Sequence, residues 1–199
     1  MLEVGAAIGN MTARLMSRRL RYVAAETDPL YLHALNNRFL RTPNVAVRKL
    51  DPSVSSDFAE LKEGFDTALC LNVLEYLDDP SAAVGAISET LRPGGVLLVL
   101  VPQSPGLYAG MDRAMGQKRR FRLEEMRTML EQQGLRVENV HHLNKIGAPA
   151  WWLYGRVFRR SYINKLTLKL FDKTVWFWRR IDNLLPWRGL SLIVVARKP

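Results

Sequence analysis

Five short apolar runs alternate with helical patterns through the first hundred residues, and this alternation constrains the fold more than any other feature. The runs are Leu2–Val4, Arg21–Ala25, Val45–Val47, Thr67–Leu71 and Val96–Val101. Between them, Thr12–Leu20 reads as a helix. Pro29 opens a second helix to about Leu40, with proline where a first helical turn favours it. Pro80–Leu91 is a third, stopped by "RPGG". Strands alternating with such helices imply βαβ units, hence a parallel sheet covered on both faces and joined by right-handed crossovers. The expected class is α/β, a doubly wound and mostly parallel Rossmann-like sheet.

The second half reads differently. After the loop "PQSPGLYAGMDRAMGQKRRF" come a helix at Leu123–Gln133 closed by Gly134, and a strand in "LRVENVHHL". Residues 147–187 are helical and aromatic, and "LSLIVVAR" is a last strand. A chain of 199 residues suits one domain, 1–199, with the 147–187 segment inserted before its final strand as a lid or cover. Charge divides along the same line. Residues 1–100 carry 10 Lys/Arg against 12 Asp/Glu, whereas residues 101–199 carry 19 against 7, together with all five tryptophans.

The longest apolar run, Val96–Val101, falls far short of the ~20 residues of a membrane span. No basic stretch leads into an apolar one at the start, so no secretory signal is expected. Cys70, the one cysteine, lies in an apolar run and reads as a buried thiol; a cytoplasmic protein without disulfides is the expectation.

The opening "EVGAAIGN" has the form of a strand, a tight turn and a helix start. Gly5 and Gly9 bracket Ala7, so the G-x-G-x-x-G dinucleotide fingerprint fails. In an open parallel sheet, ligands bind at the carboxyl ends of the strands, and here each end carries a polar residue. Glu26, seventeen residues after Gly9, suits both hydroxyls of a ribose. Asp51 suits an adenine amino group, and Asn72 closes the fourth strand in "LNVLEYL".

Taken with "FDTALCLNVLEYLDDP" and "LRPGGVLLVLVPQ", this series resembles the class I S-adenosylmethionine-dependent methyltransferases of the type acting on small molecules and lipids. A segment similar to one common in that group, "MDRAMGQKRRFRLEEMRTMLEQQGLRV", extends the resemblance to residue 137. The resemblance implies S-adenosylmethionine as cofactor, held by Glu3, Gly5, Ala6, Ala7, Gly9, Glu26, Thr27, Asp51, Pro52, Asn72 and Val73. It implies methyl transfer to a small-molecule or lipid-like acceptor. Ala7 stands where the family has its middle glycine, Tyr76 where many relatives have histidine, and Gln117 where "GH" is common. Relatives also carry a helix and the early first strand before this point, so a fragment, or a variant without that cap, is expected.

Methyl transfer from a sulfonium asks the protein mainly to align nucleophile and methyl group in a desolvated site. A hydroxyl acceptor also needs a base. Tyr108, Asp112, His141 and His142 are the candidates, with Glu75 ranked behind them, and the sequence singles out none as catalytic. No metal-ligand spacing occurs.

From Lys165 to Leu185, helical spacing places Leu170, Phe171, Thr174, Phe177, Trp178, Ile181, Leu184 and Leu185 on one face. Lys169, Lys173, Arg179 and Arg180 fall opposite, with Trp176 among them. Such a helix is a cover packed on the sheet, a lid over an apolar acceptor, or a surface that lies on anionic membrane. Nucleic acid ranks lower as a partner, because "LNVLEYL" lacks the N/D-P-P-Y/F sequence associated with base methylation. The rival functions are a degenerate, non-catalytic binding module and an RNA methyltransferase.

Overall fold

A computed structural model describes residues 1–61, 64–157 and 165–199. Part of the aromatic stretch "WWLYGRVFRRSYIN", residues 158–164, lies outside the described residues. Seven strands form one sheet: β1 (Leu2–Val4), β2 (Tyr22–Glu26), β3 (Val45–Lys49), β4 (Phe65–Leu71), β5 (Leu91–Pro102), β6 (Arg136–Leu143) and β7 (Ser191–Arg197). Their order is β3-β2-β1-β4-β5-β7-β6. The first five are parallel, with Leu2 level with Val23 on one side and Ala68 on the other. Only β7 runs against its neighbours β5 and β6.

Helices α1 (Asn10–Leu15), α2 (Pro29–Phe39) and α3 (Pro80–Thr90) fill the crossovers. Two Asp-Pro pairs start the longer ones. Asp28 accepts from Leu30 N–H at 2.7 Å and Asp79 from Ala82 N–H at 3.0 Å, each with proline in the first turn, where it has no amide to leave unpaired. Beyond β5 come α4 (Gly110–Ala114), α5 (Leu123–Gln132), α6 (Gly147–Trp152) and α7 (Lys165–Ile181).

The first helix is shorter than its sequence pattern. It yields to a 3-10 turn at Met16–Arg18, and Leu20 is fully exposed. The reason lies in Asn44, whose side-chain amide donates to Met16 O and Arg19 O and so satisfies the carbonyls of an earlier ending.

Alternation along the strands divides the core. Val23, Ala25, Cys70, Val99 and Val101 face α3 and α5, where Ile87, Met126 and Leu130 meet them. Burial pushes the Cys70 thiol far above its ordinary range, which keeps it neutral. Tyr22, Ala24 and Leu69 face the other way, toward Leu35 and Phe39 of α2. On that second face Leu98, Leu100, Ile193 and Val195 of β5 and β7 stay half-buried.

Two consequences of the strand order position the site. Connections leave β1 and β4 in opposite directions, opening a crevice at their carboxyl ends. Because β6 runs with the parallel set and β7 against it, residues 144–190 leave and return at that same end. The aromatic, basic segment therefore shares an end of the sheet with the glycine turn.

Candidate cofactor site

The turn after β1 is fixed from three sides. Gly5 N–H and Ala6 N–H both donate to Ala25 O at 3.0 Å, stitching its start to β2. Gly5 has φ +76°, and a Cβ there would overlap the Val73 side chain at the end of β4. Gly9 has φ +77°, and a Cβ would come within 2.5 Å of Phe39 on α2. Both glycines are thus demanded by close packing. Ala7 also adopts a left-handed conformation, φ 48°, at a cost of about 1 kcal/mol for a residue with a Cβ.

That conformation aims the Ala7 N–H at Glu26 Oε2, 2.7 Å away. Glu26 Oε1 accepts from Thr27 N–H at 2.8 Å and Asp28 N–H at 3.2 Å. Three amides hold the carboxylate at the end of β2, and Oε2 keeps accepting capacity beyond its single bond. Thr27 Oγ1 donates to Leu50 O at 2.9 Å, drawing the ends of β2 and β3 together. Asp51 Oδ1 accepts from Ser53 N–H at 2.8 Å, and Asp51 N–H donates to Asp57 Oδ2 at 2.9 Å. Pro52, beside it, brings a ring and no amide donor. At the end of β4, Asn72 is left-handed (φ 54°) and its N–H donates to Leu100 O at 2.8 Å.

Glu3 takes a different place. It is buried, and its Oε2 accepts from Thr12 Oγ1 and from the Tyr22 hydroxyl at 2.7 Å. Burial raises its pKa, with the two hydroxyls opposing the shift. Its carboxylate lies beneath the turn and ties β1 to α1 and β2.

The base candidates separate clearly. Asp112 is buried and fully engaged, accepting from Ala109 N–H at 2.7 Å and the Arg120 guanidinium at 2.8 Å, with Trp151 Nε1 at 3.4 Å. Arg120 also stacks 4.9 Å from the Trp151 ring centroid, clamping α6 to the loop after β5. The Tyr108 hydroxyl donates to Gln117 O at 2.8 Å. His142 Nδ1 lies 2.9 Å from Gln103 Oε1, and burial lowers its pKa. His141 is exposed.

Glu75 stands apart. It is fully buried on the 3-10 turn Leu74–Tyr76 after β4, and among the described residues no side chain bonds either carboxyl oxygen. Burial pushes its pKa up to about 7. Gln117 Oε1, likewise buried, also lacks a donor among the described residues, and Lys118 N–H donates to Glu75 O at 2.8 Å. The sequence signal for Glu75 was an acid inside the apolar "LNVLEYL"; for the Asp112–Arg120–Trp151 cluster there was none, since its members are far apart in the chain.

A cleft of about 400 Å³ lies beyond the end of β5, between Ser104, Leu107, Pro149, Trp152, Trp187 and Arg188. Two half-exposed indoles form much of its wall. Among the described residues no three His, Cys, Asp or Glu side chains gather as a metal site.

Comparison with known proteins agrees with this geometry. A family model described as "Methyltransferase domain" matches residues 2–97. An uncharacterized methyltransferase of Mycobacterium tuberculosis is 32% identical over 112 residues, covering 55% of this chain and 54% of that protein. The chain thus spans about half the length of the curated relatives it matches. An S-adenosylmethionine-dependent methyltransferase from Mesorhizobium loti superposes with a TM-score of 0.70 over 99% of this chain and 90% of that one, at 13% identity. The [4+2]-cyclase SpnF does so at 0.67 over 100% and 74%, at 17% identity. Residues 2–97 match the methyltransferase-domain family, and the fold of solved S-adenosylmethionine-dependent methyltransferases runs through the whole sheet.

Proposed function

We propose that this chain transfers the methyl group of S-adenosylmethionine to a small-molecule or lipid-like acceptor. One observation carries the reading: Glu26, Asp51 and Asn72 stand at the ends of β2, β3 and β4, around the turn that opens at the switch between β1 and β4. The acceptor atoms fit the nucleoside half of the cofactor. Glu26 would take ribose hydroxyls on Oε2, and Asp51, whose Oδ2 has no partner among the described residues, would take the adenine amino group. Gly5, Ala6, Ala7 and Gly9 would line the turn, Thr27 and Pro52 the adenosine edge, and Asn72 and Val73 the β4 side. Glu3 would act from below by holding the turn. Bound there, the cofactor supplies an activated methyl group.

The protein's own part is alignment and exclusion of water. The Trp152–Trp187 cleft would hold an apolar acceptor over the strand ends. Glu75, buried on the turn after β4 with a pKa near neutral, would be the base for an acceptor with a proton to lose. A second reading, a binding module that holds a ligand without methylating it, draws support from the left-handed Ala7, whose methyl group stands in the turn. The fold itself does not decide between the two, as the cyclase shows by name.

Incubation with methyl-labelled S-adenosylmethionine and either a lipid extract or RNA separates the readings. Label is expected in the lipid extract with the wild type and is lost with Glu26→Ala. Cofactor binding without any transfer supports the binding module, and label in RNA overturns the acceptor class.

A further inference from the structure

No described side chain of α7 is buried. Trp176 is 63% exposed, Phe177 45% and Leu184, just past the helix, 79%. Lys169, Lys173 and Arg180 are exposed as well. The aromatics make contacts among themselves: Phe177 meets Trp176 at 6.1 Å and Trp178 at 5.1 Å between centroids, both edge to face. Arg180 sits 5.4 Å over the Trp176 ring.

The helix is nevertheless anchored. Asp182 accepts from Ile146 N–H at 3.1 Å, Lys145 Nζ donates to Leu185 O at 2.8 Å, and Trp187 Nε1 donates to Lys145 O at 2.8 Å. Its carboxyl-terminal end is thereby fixed to the end of β6, on the side of the sheet that carries the glycine turn. Residues 145–188 hold ten Lys/Arg against two Asp/Glu, along with ten aromatic residues. One of the two acids, Asp182, already accepts a backbone amide.

We propose that α7 lies in the plane of an anionic lipid bilayer, its apolar residues in the headgroup boundary and its lysines and arginines on lipid phosphates, with the strand-end site turned toward the membrane. Among the described residues no helix is long and apolar enough to cross a bilayer, so the contact is parallel to the surface. The charge selects the partner. A second copy would bring the same cationic face against this one and repel it. Nucleic acid would match the charge and leave Phe177 and Leu184 in water. An anionic bilayer meets both demands, and tryptophan beside basic residues suits its interface. This docking goes beyond the proposed methyl transfer and does not depend on it.

Sedimentation with vesicles of phosphatidylcholine, with and without phosphatidylglycerol, tests it. The wild type should pellet with the anionic vesicles and not with the neutral ones, and should be released by salt. Lys169→Glu, Lys173→Glu and Arg180→Glu together should lower partitioning roughly 100-fold or more. The pair Phe177→Ser and Leu184→Ser, which keeps the charge, should also weaken it at least tenfold. Both variants should bind S-adenosylmethionine as the wild type does, which shows that the fold is intact and keeps this test separate from that of the catalytic reading. Trp176 fluorescence, taken as the difference from Trp176→Phe, should shift to the blue on anionic vesicles only. Indifference to vesicles overturns the proposal. So does full binding by the Phe177/Leu184 pair, a salt-stable dimer lost in that pair, or retention on RNA in preference to vesicles.

Discussion

Helices α5 and α7 carry the same kind of pattern and meet different fates. In α5 the apolar positions Met126, Met129 and Leu130 are buried against the sheet, and Glu125 reaches back to the Arg122 amide at 3.4 Å. In α7 the spacing is as regular, yet Phe177 on its apolar face is exposed. Periodicity states that a helix has an apolar face; it does not state what covers that face. What separates the two is the company each keeps. The flanks of α5 are a loop and a strand of the sheet, whereas α7 is flanked by tryptophans and arginines on both sides.

The comparison is broken most readily by truncation. Met126→Ala opens a cavity in a packed core and should cost about 2–5 kcal/mol in denaturant unfolding. Phe177→Ala should stay within about 0.5 kcal/mol. Equal losses would make α7 a core helix and remove the contrast.

Ionisation sharpens the contrast next. Glu75 has its pKa raised by burial from 4.5 to about 7, so the folded state holds that proton more firmly than the unfolded chain does. Its contribution is fully present below about pH 4.5 and falls away as the pH rises to about 7, by about 3 kcal/mol. Glu75→Gln should remove that slope and leave the variant more stable than the wild type at pH 8. An unaltered profile in Glu75→Gln would mean that water reaches the carboxyl group.

Within the site the effects shrink. Glu26→Ala removes a charge-assisted acceptor and should weaken S-adenosylmethionine by about 1.5–3 kcal/mol, read by calorimetry. The same titration should not register the α7 variants. Smallest is Ala7→Gly. Relief of the left-handed conformation, about 1 kcal/mol, is largely offset by glycine's greater unfolded freedom, so the fold should gain at most about 0.5 kcal/mol while cofactor binding tightens. Weaker binding would show that the turn uses the alanine.

What was legible in the sequence was what is local. Pro29 and Pro80 announced helix starts, and the aspartate before each caps its helix by an N–H bond within three residues. The polar residue at each strand end was legible because strand periodicity stops there. Glu3 read as a ligand-side acid and lies under the turn, since its partners Thr12 and Tyr22 are nine and nineteen residues away. Leu20 read as helical because the pattern continues through it, while the ending is imposed from afar by Asn44. The burial of Glu75 without a side-chain donor among the described residues, and the exposure of Phe177, are statements about what surrounds a side chain, which no spacing in the chain encodes.

The central claim is that four separated strand ends form one cofactor site in the half of the chain opposite to α7. Amide hydrogen exchange with and without S-adenosylmethionine tests this directly. Protection is expected together in peptides covering residues 3–9, 26–28, 51–53 and 72–74, with no change across 165–184. Protection confined to one of those peptides, or appearing in α7 instead, would contradict it.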